Sequence, residues 1–231
     1  PSSAASARTT PSAPRGWARR SPWSAWPRSF WTAGAGSHNI NLVTPGQWRP
    51  WIIAALDLAR AQGLHLPIVC NTGGYETVES VHAWRGFIDI WLADLKYVSP
   101  ALSAELSAAP DYFAQARPAI EAMMAQAGHP VFDSEGILQR GVILRHLALP
   151  GHVDDSFAVL DQMAAWNKAD PGCFLPSVMS QYTPLLSGGR PRHRAAHHHL
   201  RIPPSGELRH GQGPCAGLYA AEEQRQGGIH P

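Results

Sequence analysis

The chain has 231 residues, of which 44% are hydrophobic and 16% are charged, enough for one domain of ordinary size with tails. No apolar run approaches the roughly 20 residues that span a bilayer, and residues 1–30 contain no aliphatic run of the kind found in signal peptides. Three scattered cysteines do not make a disulfide framework. We therefore expect a cytoplasmic protein that does not enter the membrane.

The charge is distributed unevenly along the chain. Residues 1–36 carry a net charge of +5, residues 187–231 carry +3, and the centre, residues 37–186, carries −6. Basic ends on an acidic centre have two interpretations. They are arms that bind nucleic acid, or they do not belong to the folded domain.

The composition of the two ends favours the second interpretation over nucleic-acid binding. Residues 1–36 lack Leu, Ile, Val, Met, Asp, Glu and Lys, and residues 187–231 are rich in Gly, Arg, His and Pro. Neither end offers a periodic apolar face, so we expect disorder. A GC-rich gene read in a shifted frame gives such mixtures, and our hypothesis is that both ends are out-of-frame translation; the alternative is natural low-complexity tails.

The centre alternates between strand-like and helix-like segments. Strands are predicted at 39–43, 66–70, 88–97, 141–149 and 174–181, and helices at 48–62, 76–84, 99–107, 111–126 and from after Ser156 to about 167. Strand, helix and strand in this order indicate parallel βαβ units and an α/β fold. A partial (β/α) barrel and a doubly wound sheet both fit, and in both, ligands bind at the carboxyl ends of the strands.

Polar or turn-forming residues stand at these strand ends: Thr44, Pro45, Asn71, Thr72, Asp94, Lys96, His146, Gln181 and Tyr182. Asp94 and Lys96 are two residues apart, on the same side of a strand predicted to be buried on both faces. They form either an ion pair that closes the strand or part of a site. In a site, Lys96 is a fixed cation for a carboxylate or an amine nucleophile, and a neighbouring Asp94 favours the charged form and hence the first role.

Five ordered motifs resemble radical S-adenosylmethionine (SAM) proteins, in the branch homologous to pyruvate formate-lyase activating enzymes. They are HNINLVTP at 38–45, PIVCNTGGYE at 67–76, DIWLADLKY at 89–97, RHLALPG at 145–151 and MSQYTP at 179–184. The resemblance covers about residues 37–186. It implies a partial (β/α) barrel in which a [4Fe–4S] cluster, held by a C-x₃-C-x₂-C loop, cleaves SAM reductively to a 5′-deoxyadenosyl radical.

The resemblance also implies roles for the strand-end residues. Thr44 and Pro45 would meet the SAM amino group, Asn71, Thr72 and Asp94 would surround its methionyl end, and Lys96 would bind its carboxylate. His146, Gln181 and Tyr182 would lie near the nucleoside. The implied partners are a glycyl radical enzyme or another protein substrate, and an electron donor such as flavodoxin or ferredoxin.

The chain departs from this family at the cluster. It contains no C-x₃-C-x₂-C, and Cys70, Cys173 and Cys215 are too dispersed to replace it. We therefore expect no metal ligands, an incomplete barrel without its first strand and cluster loop, and a catalytically incomplete protein. Two alternatives stay open: a Schiff-base (β/α) lyase that uses Lys96, and a non-catalytic scaffold with basic tails.

Overall fold

The structure, a computed structural model, describes residues 37–180. The sequence-based expectations for residues 1–36 and 187–231, and those for Gln181 and Tyr182, fall outside the described residues. Within the described range the chain forms β1 (Ile40–Val43), α1 (Arg49–Ala61), β2 (Ile68–Thr72), α2 (Val78–His82), β3 (Ile90–Asp94), α3 (Pro100–Ser107), α4 (Tyr112–Ala127), β4 (Val131–Phe132), β5 (Leu138–Leu147), α5 (Val153–Ala169) and β6 (Leu175–Met179).

The strands form one mixed sheet. Its order is β1-β2-β3-β5-β4, and β6 also pairs with β5. β2 pairs in parallel with β3, β3 with β5 and β5 with β6, whereas β4 is antiparallel to β5. Asp94 at the end of β3 lies opposite Arg145 of β5, so the parallel register brings these two strand ends together.

The described residues divide into two compact units. One contains the residues up to Ile40 and the segment from Trp48 to Leu66; the other contains Asn41–Gln47 and the residues from Pro67 onward. In the first unit, the buried positions of α1 recur at helical spacing: Ile52, Ala55, Leu56 and Ala59. The second unit carries most of the sheet and all of the candidate site described below.

The two faces of the sheet in the second unit differ in burial. On β3 and β5, Trp91, Ala93, Val142, Leu144 and His146 are buried, whereas the alternate residues Leu92, Asp94, Ile143, Arg145 and Leu147 are half-buried. Helix α4 contacts both strands and α5 contacts β5. The helices therefore cover the first face, and the second face is the more open one.

Two helices begin at caps that the sequence supplies. Ser99 precedes α3, and its hydroxyl accepts a hydrogen bond from the Leu102 N–H at 3.3 Å; Pro100 then occupies the first turn, where its missing N–H costs nothing. Thr77 caps α2 in the same way. The turn from β3 into α3 is thus encoded locally, directly after Lys96.

The α/β class with a parallel sheet is confirmed, and several details of the prediction are wrong. β1 begins at Ile40 rather than Asn39, and Ile40 is its one buried residue. β3 ends at Asp94 rather than Tyr97, and one of its faces is half-buried near that end. β4 was not predicted, so the sheet has six strands in the described range instead of five. The partial barrel stays a prediction.

Among residues 37–180, no helix combines the length and apolar character that crossing a membrane requires.

Candidate functional site

A cavity of about 480 Å³ lies at the carboxyl ends of β3, β5 and β6. One wall is polar and is formed by Asp94, Lys96 and Arg145. The remaining wall is largely apolar; it is formed by Tyr97, Leu106, Leu147, Leu149, Pro150 and Met179. A small polar cluster against an apolar wall is the usual arrangement of a small-molecule site.

Arg145 organises the polar wall. Its Nε and Nη2 atoms both lie 2.8 Å from Oδ1 of Asp94, and Nη2 donates a second hydrogen bond to Oδ1 of Asn71 at 2.8 Å. The two charged side chains are about a quarter exposed. One guanidinium thus joins the side chains of three neighbouring strands, and the carboxylate of Asp94 is neutralised by Arg145.

Lys96 stands apart from this ion pair. Its side chain is exposed, and its ammonium forms neither a hydrogen bond nor an ion pair within residues 37–180. The ammonium lies over Gly73, because a Cβ atom added to that glycine would be 3.6 Å from Nζ. The ion pair between Asp94 and Lys96, one of the two interpretations of the sequence, is therefore not formed.

The electrostatic balance of the cavity follows from these contacts. Its lining holds two cations, Arg145 and Lys96, and one anion, Asp94, so it carries one excess positive charge. Because Arg145 already binds Asp94, the ammonium of Lys96 is the group that is available to an incoming anion. A carboxylate is the simplest ligand for a compact, exposed ammonium.

The backbone that carries Asp94 and Lys96 is held by Tyr112. The N–H of Lys96 donates to the Tyr112 hydroxyl at 3.0 Å, and that hydroxyl lies 2.8 Å from the carbonyl oxygens of both Asp94 and Gly73. Burial raises the pKa of Tyr112, so the hydroxyl keeps the proton that it donates. The intervening residue, Leu95, donates its N–H to the carbonyl of Arg145 at 2.8 Å.

Gly74 permits the close approach of the β2 and β3 ends. Its φ of +78° lies in the left-handed region, and a Cβ atom there would overlap the carbonyl oxygen of Asp94. Gly74 of the NTGGYE segment therefore serves backbone geometry beside the site.

Thr72 and Asn71 point to opposite faces of the sheet. Asn71 reaches the polar wall through Arg145. The Thr72 hydroxyl instead donates to Oε1 of Glu76 at 3.0 Å, on the helix-covered side. Thr44 and Pro45 follow β1: the Thr44 N–H donates to the Asn71 carbonyl at 2.8 Å, and Thr44 has a φ of +46°, which is unusual for a β-branched residue.

His146 does not reach the cavity. It is 2% exposed and lies on the helix-covered face, where its Nδ1 donates to the carbonyl oxygen of Leu95 at 3.0 Å. Its Nε2 has no hydrogen-bond partner within the described residues. Burial lowers the pKa of His146, against the opposing effects of the Leu95 hydrogen bond and the charge of Asp155. The structure thus gives His146 a backbone contact next to Lys96; its predicted role near a nucleoside stays a prediction.

The described cysteines do not fit an iron–sulfur cluster. Cys70 is buried in β2, and burial together with the charge of Glu76 raises its pKa to about 12, which favours the thiol over the thiolate that iron requires. Cys173 is also buried, beside the Trp166 carbonyl. Cys215 lies outside the described residues, within which no group of three His, Cys, Asp or Glu side chains has a metal-binding arrangement.

Arg145 and Tyr112 are the two site residues that sequence reasoning missed. Alternation along β5 separates Ile143, Arg145 and Leu147 from the buried Leu144 and His146, and a charged side chain inside a strand indicates the more open face. That signal was sufficient to assign Arg145, rather than His146, to the open face of the sheet and hence to the site. Tyr112 is the first residue of α4, and no local pattern links it to the ends of β2 and β3.

The chain matches no family model. An uncharacterised protein of Methanocaldococcus jannaschii, MJ0674, is 29% identical over 118 residues, which are 51% of this chain and 30% of that protein. The crystal structure of methylornithine synthase (PylB) gives a TM-score of 0.41 at 13% identity, over 68% of this chain and 44% of that one. The chain thus spans less than half of either protein. A TM-score of this size supports no conclusion about fold or function.

Proposed function

We propose that residues 37–186 form the SAM-holding part of a radical SAM protein of the branch homologous to pyruvate formate-lyase activating enzymes. The observation that carries the proposal is the ammonium of Lys96, exposed at the cavity and without a partner in the described range. The motif resemblance names a ligand for such a cation, the carboxylate of the methionyl group of SAM.

The neighbouring residues support this assignment. Arg145 neutralises Asp94 and holds Asn71, so the polar wall is already ordered before a ligand arrives. The apolar wall, which includes Leu106, Leu147 and Met179, offers surface to the uncharged parts of a ligand. In complete radical SAM proteins, a reduced cluster supplies the electron that cleaves SAM. The cysteines described above do not fit that cluster, so we propose ligand binding for this chain and no radical step.

The expected partners are a glycyl radical enzyme or another protein substrate, and flavodoxin or ferredoxin as electron donor. They belong to the family that the motifs resemble, and for this chain they stay predictions.

Two lysines allow a matched test, because Lys96 and Lys168 are the only lysines in the sequence. Lys168 is also exposed, in the last turn of α5. We expect Lys96→Ala to weaken SAM binding about tenfold or more, since a charge-assisted hydrogen bond contributes about 1.5–3 kcal/mol. Lys168→Ala should bind SAM as the unmodified chain does. Isothermal titration calorimetry of the three proteins measures the difference.

Equal SAM affinity of the unmodified chain and Lys96→Ala would contradict the proposal, as would the absence of SAM binding. A borohydride-stable adduct on Lys96 after incubation with a carbonyl compound would instead favour the Schiff-base alternative.

A further inference from the structure

We propose that Tyr112 is the positioning residue for Lys96: its hydroxyl joins the ends of β2 and β3 and so sets where the ammonium stands in the cavity. This inference rests on the proposed function, because it assigns a residue that orients the proposed carboxylate-binding cation. Tyr112 itself is not among the residues that line the cavity.

The hydroxyl occupies a junction of three backbone groups. It accepts the Lys96 N–H at 3.0 Å and faces the carbonyl oxygens of Asp94 and Gly73, each at 2.8 Å. One hydroxyl has one proton, so it donates to one carbonyl at a time or to both in a three-centre bond. The residue that carries the ammonium and the glycine beneath that ammonium thus share one hydrogen-bonding atom.

The tyrosine ring is itself held in place. It stacks on Tyr75 with a centroid distance of 6.0 Å and an interplanar angle of 11°, and it meets Tyr97 edge-on at 5.5 Å. Tyr112 is 2% exposed, so its ring and hydroxyl are shielded from solvent. Position and protonation of the hydroxyl are therefore both defined by the fold.

Lysine needs such support more than a shorter side chain does. Its four-carbon stem is flexible, so the volume that the ammonium samples depends on the position and direction of its backbone. β3 ends at Asp94, and the Leu95 N–H still pairs with the Arg145 carbonyl of β5. The next amide, that of Lys96, donates to the Tyr112 hydroxyl instead.

The variant Tyr112→Phe tests this role because it keeps the ring contacts and removes only the hydroxyl. We expect SAM binding to weaken about tenfold, the scale of one part-buried hydrogen bond that is lost. Binding of decarboxylated SAM should stay unchanged, since that analogue has no carboxylate for Lys96. The preference for SAM over its decarboxylated form should therefore collapse, which a general loss of structure would not produce.

Tyr75→Phe is the matched control. Its hydroxyl binds the exposed Asp111 at 2.8 Å and touches neither strand end, so the ligand preference should be retained. A double variant of Tyr112→Phe and Lys96→Ala should bind SAM no more weakly than Lys96→Ala alone, because both changes remove the same interaction. Additive losses would overturn the inference.

Amide hydrogen exchange gives a readout that does not depend on SAM. In the unmodified chain, the Lys96 amide should exchange slowly, and in Tyr112→Phe at least about tenfold faster, while amides of α5 are unaffected. Fast exchange at Lys96 in the unmodified chain overturns the inference even where Tyr112→Phe does not fold. If the Lys96 amide exchanges slowly in the unmodified chain and fast in Tyr112→Phe, the positioning role is supported. If, in addition, neither protein binds SAM, that result counts against the proposed function.

Discussion

At the scale of single residues, the pairing of Asp94 with Arg145 explains why the ammonium of Lys96 is available to a ligand. Sequence reasoning placed Asp94 beside Lys96 and expected the carboxylate to keep the lysine charged. In the structure, Arg145 donates hydrogen bonds to Oδ1 of Asp94 and to Oδ1 of Asn71, and Lys96 is exposed to solvent. The cation is therefore left free for a ligand. Sequence reasoning singled out a lysine that lines the cavity, and it was wrong about the partner of the aspartate.

His146 gives a prediction about pH. Burial lowers its pKa below the ordinary value of 6.5. Above that value the imidazole is neutral in the folded and unfolded chains; below it the unfolded chain binds a proton that the folded chain resists. The free energy of unfolding should therefore decrease as pH falls from about 6.5 toward the lower folded pKa, by at most about 1.4 kcal/mol per pH unit from this group.

Urea unfolding between about pH 7.5 and about pH 5.5 checks this prediction. His146→Asn keeps a donor for the Leu95 carbonyl and removes the titrating ring, so its stability should vary less with pH in this range. His129→Asn is the control, since His129 is exposed beside Asp170. Parallel pH profiles for the unmodified chain and His146→Asn would show that burial of this imidazole does not contribute.

At the scale of elements, helices and strands were predicted correctly where local residues determine their limits. The prediction was wrong where a limit depends on a residue distant in the sequence. Ser99 and Pro100 predict the start of α3, and the helical spacing of apolar residues predicts α4. The sequence pattern predicts a strand that continues past Asp94 to Tyr97, but the Lys96 N–H donates to a tyrosine hydroxyl from α4 instead of to a strand. β4 was missed because it has two residues; its turn does carry a signal, as Asp133 accepts the N–H groups of Glu135 and Ile137.

Gly74→Ala tests the close approach between the β2 and β3 ends. Its methyl group would overlap the Asp94 carbonyl, and alanine is strained at a φ of +78°. We expect a loss of about 2–4 kcal/mol in the free energy of unfolding, of which the left-handed backbone accounts for about 1 kcal/mol. Denaturant unfolding measures the loss.

Gly136→Ala is the matched control for this change. Gly136 has nearly the same φ, +79°, and nothing lies within 4 Å of an added Cβ atom. This variant should lose only the backbone contribution, about 1 kcal/mol. Equal losses for the two variants would mean that the strand ends move apart without cost.

At the scale of the whole molecule, residues 37–180 combine a cavity whose lining carries one excess positive charge with two buried cysteines, Cys70 and Cys173, that do not fit a cluster. The convergence of the strand ends was predictable from βαβ alternation, but the order of the strands was not, because a partial barrel and a doubly wound sheet both fit the sequence. The open face was not, because it depends on which side α4 and α5 cover. The Asp94–Arg145–Asn71 contacts link residues up to 74 positions apart, and local sequence patterns carry no information about such pairs.

Anaerobic reconstitution with iron and sulfide tests the cluster half of this account. We expect the 231-residue chain to bind far less than one four-iron cluster, because Cys70 is a buried thiol and the C-x₃-C-x₂-C motif is absent. A variant with all three cysteines replaced by serine should retain the same residual iron. Four irons and four sulfides per chain, lost in that variant, would contradict the prediction.

The most direct test of the central claim is a comparison of two ligands on the unmodified chain in the absence of iron. Equilibrium titration should show that SAM binds at least about tenfold more tightly than decarboxylated SAM, because the carboxylate is the group that Lys96 is proposed to hold. Equal affinities, or no binding of SAM, would contradict the claim that the cavity beside Lys96 is a SAM carboxylate site.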